Sequence, residues 1–456
     1  MSADNPRDTY DVDASALSIS SSASLTLAFR LVLFVMSLAT NVILARSLGP
    51  TGRGTYAIAV LVPTILALVA NLGIGPANVY HVSRGSLDKK HLVASSLAAA
   101  VIVGLVAYAL LVLVVASLGG RTLMGVAPGY LLIGGLSIPF ALAAAFMQGV
   151  LHGERRFVDL NIVMLSQTFS FAVLLIIALF APVDRLAASV AAWTASTVLS
   201  GLLAVAFVRQ KTPLSLAIDL PTMRAILRYG SLTYLGTLTS FVNYRFDLLL
   251  VSVFSGATQV GLYAVGAGLA EIIWFLPNSV YIALAPRVAA VPEEESSKLS
   301  AQASRSVLVL AAGAAIVMAA VAPLAIFIFF GSAFAQSVAA VWLLLPGIVT
   351  FSGWKIMSCY LLGRNLLKQD LVAATVAMIV TLALDLALIP NYGFRGAAVA
   401  SSIAYSIAML VDLYWVVRRS GLSPRRWLIA EPTDSQPIAY GVRLLLKSRR
   451  KGSSAH

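Results

Sequence analysis

Seven charged side chains lie inside long apolar segments, and these are the residues whose types and positions could do chemistry. They are three bases and four acids: Arg30, Arg245, Asp247, Glu271, Lys355, Asp385 and Asp412. Charges in apolar surroundings are costly, and they usually face a water-filled cavity or pair with each other. An unpaired Arg or Lys could hold an anionic group, and a buried carboxyl could hold a proton or a Na⁺ ion. Pairing among the seven is the structural alternative.

A polar stripe runs along the segment that contains Asp247. Steps of three and four residues place its members on one face of a helix: Thr233, Gly236, Thr237, Ser240, Asn243, Tyr244 and Asp247. The first apolar segment carries a second stripe: Arg30, Ser37, Thr40 and Asn41. Two such stripes predict a water-filled space, and the alternative is polar contacts between packed helices. Arg245 points to another side of its helix than Asp247, so it either reaches this space or pairs with an acid on a neighbouring helix.

Glu271 lies near the middle of a further apolar segment, on a face that also carries aromatic and polar residues. Trp274 could present a flat ring to a sugar or a lipid there, with Asn278 beside it. The alternative is close helix packing, with Glu271 paired to Arg245 or Lys355.

The candidate residues therefore fall into two groups. The candidates for ion coupling are Asp247, Glu271 and Asp385, and those for ligand binding are Arg30, Arg245, Lys355, Trp274, Asn278 and Tyr244. Arg30 lies near the end of its segment, so its side chain could instead extend to the membrane surface. Asp412 also lies near a segment end and is expected to be interfacial.

Membrane-spanning helices must position these residues. The chain is 59% hydrophobic and 11% charged, and its mean hydropathy is +0.90. Apolar runs of about 20 residues, the length that crosses a bilayer core, recur throughout. Twelve spans are predicted, with these approximate bounds: 24–45, 55–80, 92–118, 127–151, 161–180, 186–208, 226–254, 260–285, 307–330, 338–362, 371–389 and 396–417. The predicted fold class is an all-α polytopic membrane protein.

One motif occurs twice in the chain. Subtracting 207 from the residue number moves Gly256 to Gly49, and in both places a glycine turn joins two apolar segments. The sequence Leu361-Leu-Gly363 similarly follows Leu151-His-Gly153 by 210 residues. Such a repeat indicates two pseudo-symmetric six-helix halves, which in membrane proteins usually enclose a transport path.

The repeat and the composition together predict five regions. They are a disordered cytoplasmic tail at 1–23, an N-terminal half at 24–208, a cytoplasmic linker at 209–225, a C-terminal half at 226–417, and a basic cytoplasmic tail at 418–456. The first region has no basic stretch of the kind that begins a secretory signal, so we expect no cleaved signal peptide.

The positions of Lys and Arg predict the orientation. If the N-terminus is cytoplasmic, only five of the 32 Lys and Arg residues fall in outside connections: Arg46, Arg53, Arg121, Arg185 and Arg395. This bias predicts that both termini are cytoplasmic. The net charge of +13 is thus a topology signal and does not indicate nucleic-acid binding. The basic stretch Ile438–Lys451 either rests on anionic lipid or is a solvated tail.

No residue pattern indicates an enzyme, a metal site or a cofactor. Gly49–Thr55 resembles a phosphate-binding loop in spacing, but it lacks the Lys that would reach the phosphates. The four His and the single Cys359 show no metal-ligand spacing. Uphill movement of a ligand would therefore depend on a gradient of H⁺ or Na⁺, or on a reaction elsewhere.

The chain resembles the oligosaccharide flippase family, the polysaccharide exporters of the multidrug/oligosaccharidyl-lipid/polysaccharide exporter superfamily. Four stretches carry the resemblance: Ala45–Tyr56, Gly149–Phe157, Asp247–Tyr263 with its continuation to Arg287, and Leu388–Ala398. The resemblance implies two six-helix lobes around a central cavity that opens alternately to each side. It also implies that cavity Arg or Lys residues hold the diphosphate of the cargo. Asp385 is a departure, because relatives often carry Asn in this segment.

Three functions follow, in order of preference. The first is a flippase that moves a polyprenyl-diphosphate-linked oligosaccharide to the outer leaflet, in contact with membrane lipids and with other polysaccharide-assembly proteins as further partners. The second is a cation-coupled multidrug antiporter of the same superfamily, which should not depend on Arg30 or Arg245. The third is a membrane glycan polymerase or ligase, which the short outside connections disfavour.

Overall fold

The regular structure is helical. The computed structural model describes the backbone of residues 7–180, 182–213 and 215–429, and the side chains in those ranges except at 7–31, 232, 233, 235 and 240. The α-helices are α1 (Arg7–Ala70), α2 (Ile74–Arg84), α3 (Lys89–Ser117), α4 (Pro128–Gly135), α5 (Ile138–Gly153), α6 (Phe157–Phe180), α7 (Arg185–Arg209), α8 (Leu220–Ala270), α9 (Phe275–Ala290), α10 (Glu293–Ala325), α11 (Ser337–Gly363), α12 (Leu367–Tyr392), α13 (Phe394–Ser420) and α14 (Pro424–Leu428). Short 3₁₀ helices cover Glu271–Trp274 and Ser332–Phe334, and a π-helical turn covers Ile326–Phe330. The predicted all-α class is confirmed.

Ten helical runs among the described residues are long and apolar enough to cross a membrane. Two of them, Val32–Ala70 and Gly236–Ala290, contain 39 and 55 residues, well beyond the length of one crossing. Each is interrupted by a glycine with non-helical backbone angles: Gly49 has φ 65° and ψ 178°, and Gly256 has φ 79° and ψ 174°. Glycine adopts such positive φ angles without steric strain. With one crossing on either side of each break, the ten runs correspond to the twelve predicted spans.

A second pair of backbone features repeats along the chain. Arg155 and Asn365, 210 positions apart, have φ of 58° and 59°, and each follows shortly after a helix that ends in glycine. Positive φ is uncommon for residues other than glycine. The two glycine breaks and these two turns therefore recur at the spacings of the sequence motifs.

The chain divides into two compact units, residues 1–238 and 239–456. The division lies within α8. Residues 226–238, which the sequence analysis placed in the C-terminal half, therefore belong to the first unit. The reason is local packing: the Tyr234 hydroxyl donates to the Leu68 carbonyl at 2.7 Å, and Gly230 crosses Gly73 at backbone contact. Because α8 begins at Leu220, the connection after α7 is also shorter than predicted.

Both predicted tails contain helix. Helix α1 begins at Arg7, inside the segment predicted to be disordered, and no Gly or Pro lies between Pro6 and Gly49 to stop it. At the other end, α14 follows α13 closely, and Trp427 is fully buried against Tyr360, with ring centroids 5.5 Å apart. The stretch Ile438–Lys451 lies outside the described residues.

Each unit has its own apolar core. In the first, buried side chains of α2, α3, α5 and α7 meet, among them Ile74, Leu92 and Phe146. In the second unit, one cluster gathers around Tyr360 and Trp427. Another cluster, largely aromatic, gathers around Phe351 and Tyr405. Many other large apolar side chains remain exposed, as expected of helices that face lipid.

Candidate functional site

Arg245 and Glu271 form a two-point ion pair in the second unit. The two terminal guanidinium nitrogens of Arg245 each donate to one carboxylate oxygen of Glu271 at 2.9 Å. The side chains are 39% and 20% exposed, so the pair is only partly shielded from its surroundings. Of the alternatives left open by the sequence, Arg245 therefore pairs with an acid, Glu271 in the 3₁₀ helix that follows α8. The pair remains partly accessible.

Asp247 lies two residues further along α8 and is buried. It accepts a short hydrogen bond from the Tyr263 hydroxyl, a bond from the Leu248 amide at 2.7 Å, and a longer one from Ser401 of α13 at 3.5 Å. These donors come from both segments flanking the Gly256 break and from α13. The arrangement thus holds one carboxylate where three elements of the second unit meet.

Asp385 of α12 is fully buried near Asp247. Neither of its carboxylate oxygens has a hydrogen-bond partner among the described residues, and its charge interacts with that of Asp247. Two neighbouring carboxyl groups without a full set of donors cannot both stay ionised at low cost. These two acids are therefore the candidate site for a proton or a bound cation.

The far end of the α8 stripe packs against α12 and α13. The Asn243 amide donates to the Ala374 carbonyl at 3.0 Å, and the Tyr405 hydroxyl donates to the Asn243 carbonyl at 3.3 Å. Thr237, near the other end of the stripe, is exposed. The side chains of Thr233 and Ser240 lie outside the described residues. The stripe therefore changes from an open face to helix–helix hydrogen bonds along its length.

An aromatic cluster includes two of the predicted ligand-binding residues. The Trp274 ring centroid lies 4.7 Å from that of Phe351 and 5.5 Å from that of Tyr244, and Tyr405 completes the group. The indole nitrogen of Trp274 is buried without a hydrogen-bond partner in the described part of the chain. Asn278 is half-buried on α9, one turn beyond Trp274. The indole ring is packed on several sides, which reduces the face it could offer to a sugar.

Lys355 lies apart from Asp385, in a second polar group. Its ammonium is 5.0 Å from the Tyr281 ring centroid, and it interacts with the charge of Asp370 at the start of α12. The carboxylate of Asp412 in α13 also interacts with the charge of Asp370, and Asp412 is fully buried. Burial against neighbouring helices is compatible with a position near the end of a span, so the expectation that Asp412 is interfacial stays a prediction.

The first unit contains a buried cation that the sequence reading placed in an outside connection. Arg53 is 8% exposed, and its guanidinium donates to the Asn41 side chain at 2.8 Å, across the Gly49 break. It lies 5.5 Å from the Tyr56 ring. The available signal was the apolar run that begins at Tyr56, three residues after Arg53. The side chain of Arg30 lies outside the described residues.

The family model "polysaccharide biosynthesis protein" matches residues 20–291, more than half of the chain. The chain belongs to this family. Membership in the polysaccharide biosynthesis family confirms the resemblance carried by the sequence motifs. No curated protein sequence matches the chain closely enough to be called similar.

Solved structures share the fold of this family member. The lipid II flippase MurJ in an inward closed conformation aligns with a TM-score of 0.72 at 16% identity, covering 86% of this chain and 87% of that chain. A multidrug resistance MATE family transporter of the MOP superfamily, inward-facing, aligns with a TM-score of 0.62 at 15% identity, covering 85% and 94%. A MATE transporter from Vibrio cholerae aligns at 0.55 and 15%, covering 88% and 98%. At these identities the similarity defines the fold and leaves the cargo open.

Proposed function

We propose that this integral membrane protein is a flippase that moves a lipid-linked oligosaccharide, carried on a polyprenyl diphosphate, from the cytoplasmic to the outer leaflet for the synthesis of cell-surface polysaccharide. The observation that carries this function is membership in the polysaccharide biosynthesis family over residues 20–291. The fold shared with a lipid II flippase supports it. Both termini are cytoplasmic in this proposal, because Lys and Arg concentrate in the connections on that side.

Arg245 is the residue we assign first to the cargo diphosphate. Arginine suits phosphate oxygens because its planar fork donates two parallel hydrogen bonds. The two terminal nitrogens that would do this are bonded to Glu271 at 2.9 Å. The diphosphate must therefore replace Glu271, and a proton on Glu271 would release Arg245 for it. Cargo binding and proton uptake would then favour each other, as linkage requires.

Lys355 is a second cation for the same anion. It lies in the second unit, 5.0 Å from the Tyr281 ring, and makes no ion pair with a described carboxylate. Lysine binds phosphate as a point charge and does not need a fixed orientation. Arg30, Asn278, Trp274 and Tyr244 stay predictions for cargo contact.

The buried acids Asp247 and Asp385 are the proposed site of the coupling ion, H⁺ or Na⁺. Alternating access requires that the ion bind the two conformations with different affinities. The donors of Asp247 come from α8 and α13, while Asp385 comes from α12, so movement of these helices changes the site directly. A gradient of the ion could drive the cycle in this way, without a nucleotide-hydrolysing site.

The decisive experiment is lipid extraction and mass spectrometry from a strain that lacks the protein, with surface glycan measured in parallel. A flippase predicts accumulation of a polyprenyl-diphosphate oligosaccharide and loss of surface glycan, both reversed by the wild-type chain. A complemented strain with Arg245→Gln should still accumulate the lipid. Normal levels of both species in the deletion strain would overturn the proposal.

A cation-coupled multidrug antiporter is the second candidate, favoured by the fold shared with MATE transporters and by the buried acids. It predicts new sensitivity to cationic dyes in the deletion strain, with lipid intermediates unchanged. It also predicts that Arg245→Gln retains function, because an exporter of cations gains nothing from a cationic binding residue.

A further inference from the structure

A two-part cavity in the first unit lies outside every residue assigned to cargo or ion. One part, of about 770 Å³, is lined by His81, Leu220, Pro221, Arg224, Ala225, Arg228 and Tyr229. The other, of about 1000 Å³, shares Leu220, Arg224 and Arg228 with it and continues toward the α1–α2 turn. The shared residues lie on the first two turns or so of α8, before the membrane-spanning part of that helix begins.

The wall formed by α8 is fixed by close contacts. A Cβ atom added to Gly73 would lie 2.2 Å from the Gly230 carbonyl oxygen, so the two backbones touch where α8 crosses the α1–α2 turn. The Tyr229 ring stacks on Tyr80 with centroids 4.0 Å apart, and Tyr234 is bonded to the Leu68 carbonyl. The cavity is therefore preformed and does not depend on a ligand to assemble it.

The narrower part of the cavity presents positive charge and hydrogen-bond donors. Arg224 and Arg228, one turn apart on α8, are exposed and make no ion pair with any described residue. His81 is buried beside them, with Nδ1 bonded to the Ser86 hydroxyl at 2.8 Å. Burial lowers the pKa of His81, so its ring is neutral at neutral pH and the two arginines supply the charge. Two unpaired guanidinium groups at one mouth match a phosphate.

The wider part of the cavity is mostly apolar away from the two arginines. Besides the shared Leu220, Arg224 and Arg228, it is lined by Val69, Leu72, Met223, Leu227 and Leu238, with Tyr234 and Ser231 as further polar members. The side chains of Val69 and Leu72 are exposed, so this wall of the cavity is not covered by other parts of the described chain. A free phosphate ion would leave this part empty, whereas an acyl chain attached to a phosphate would fill it.

We propose that this cavity binds an anionic phospholipid, with its phosphate between Arg224 and Arg228 and an acyl chain along Leu72 and Leu227. Charge complementarity selects the occupant: in a zwitterionic lipid the ammonium group competes with the arginines for the phosphate, and in an anionic lipid nothing does. The site stands independently of the proposed flippase function, because it uses none of the residues assigned to cargo or coupling ion.

The test is native mass spectrometry of the full chain released from detergent, with phosphatidylglycerol and phosphatidylcholine as probes. The wild type should retain phosphatidylglycerol in preference to phosphatidylcholine. Each basic residue near a membrane surface contributes about 1 kcal/mol toward anionic lipid, so Arg224→Ala with Arg228→Ala should weaken phosphatidylglycerol binding roughly thirtyfold. The matched control is Arg425→Ala with Arg426→Ala on α14, an exposed basic pair in the other unit.

A second variant separates this site from general surface charge. Leu227→Glu places a carboxylate in the apolar part and leaves both arginines in position, and it should also reduce phosphatidylglycerol binding. Equal loss in the α14 control, equal retention of the two lipids by the wild type, or unchanged binding in the Arg224/Arg228 variant would each overturn the site. A thermal unfolding curve of every variant, with and without phosphatidylglycerol, identifies variants that simply fail to fold.

Discussion

The ion pair between Arg245 and Glu271 allows a structural role to be separated from a functional one. We predict that Arg245→Gln and Glu271→Gln each destabilise the protein, because each leaves a partly buried charge without its partner. Removing one partner of a fully buried pair costs about 3–5 kcal/mol, and an exposed pair contributes at most about 1 kcal/mol. With the side chains 39% and 20% exposed, the expected loss lies between these limits, about 2 kcal/mol for each single variant.

The double variant Arg245→Gln/Glu271→Gln removes both charges and should recover most of this loss. The coupling energy from the double-mutant cycle, which is the loss in the double variant minus the two single losses, is then up to about 4 kcal/mol in magnitude. For a unit the size of residues 239–456, each kcal/mol moves the melting temperature by roughly 2–4 °C. The single variants should therefore melt roughly 4–8 °C below the wild type in detergent, and the double variant should melt near the wild type.

Transport should not follow stability. If Arg245 binds the diphosphate, the double variant folds normally and still fails to restore surface glycan in the deletion strain. Glu271→Gln alone keeps the guanidinium available, so a polyprenyl diphosphate should bind it at least as tightly as it binds the wild type. Full recovery of glycan by the double variant would refute the assignment of Arg245 to the cargo and leave the pair as a structural tie. Arg287→Gln, an exposed change in the same unit, controls for loss of one positive charge.

Three further predictions concern the first unit. Gly73→Ala should prevent normal folding, since its Cβ would meet the Gly230 carbonyl, whereas Gly85→Ala, also at positive φ but in open space, should lose only about 1 kcal/mol; thermal melting compares them. Asp184→Ala should lose about 1 kcal/mol as the N-cap of α7 is removed. Hydrogen bonding lowers the pKa of Asp184 in the folded protein, so its contribution to stability is complete above the unfolded pKa and disappears as the pH falls through the folded pKa. The melting temperatures of the variant and the wild type should therefore become equal in acid. Burial lowers the pKa of His81, so its neutral form stabilises the fold fully above a pH of about 6.5 and progressively less below it, and in His81→Gln this acid sensitivity of the melting temperature should diminish.

The helical spans and the glycine breaks could be predicted from sequence because both depend on local chemistry. A run of about 20 apolar residues can satisfy its backbone in a bilayer only as a helix. Gly49 and Gly256 appear at equal offsets in the two repeats because a positive φ excludes most other residues. The boundary between the units was harder to predict, because it depends on contacts such as Tyr234 with Leu68, which are far apart in sequence.

The candidate site was predictable as a set of residues but not as a set of partners. Polarity within a span identifies Asp247, Glu271 and Asp385, because such charges need a reason to be there. Whether each acid is paired depends on how the neighbouring helices are rotated about their axes. A periodic sequence pattern does not fix that rotation closely enough to identify partners. Arg53 was missed for a related reason: the glycine break before it looks like a loop in sequence, but the chain is helical again by Arg53.

The pairing of Arg245 with Glu271 does not argue against a role in transport. A flippase must bind an anion at one stage of its cycle and release it at another, so its binding cation needs an alternative partner of comparable strength. A carboxylate that can be displaced, or neutralised by a proton, provides such a partner and avoids leaving an uncompensated cation in the membrane. Asp385 presents the opposite case, a buried acid without a hydrogen-bond partner among the described residues, and in the proposed function a bound proton or cation would compensate it. The second unit thus combines a satisfied charge that cargo would have to release with an unsatisfied one that an ion would have to complete, which is the combination that couples two ligands through one set of helices.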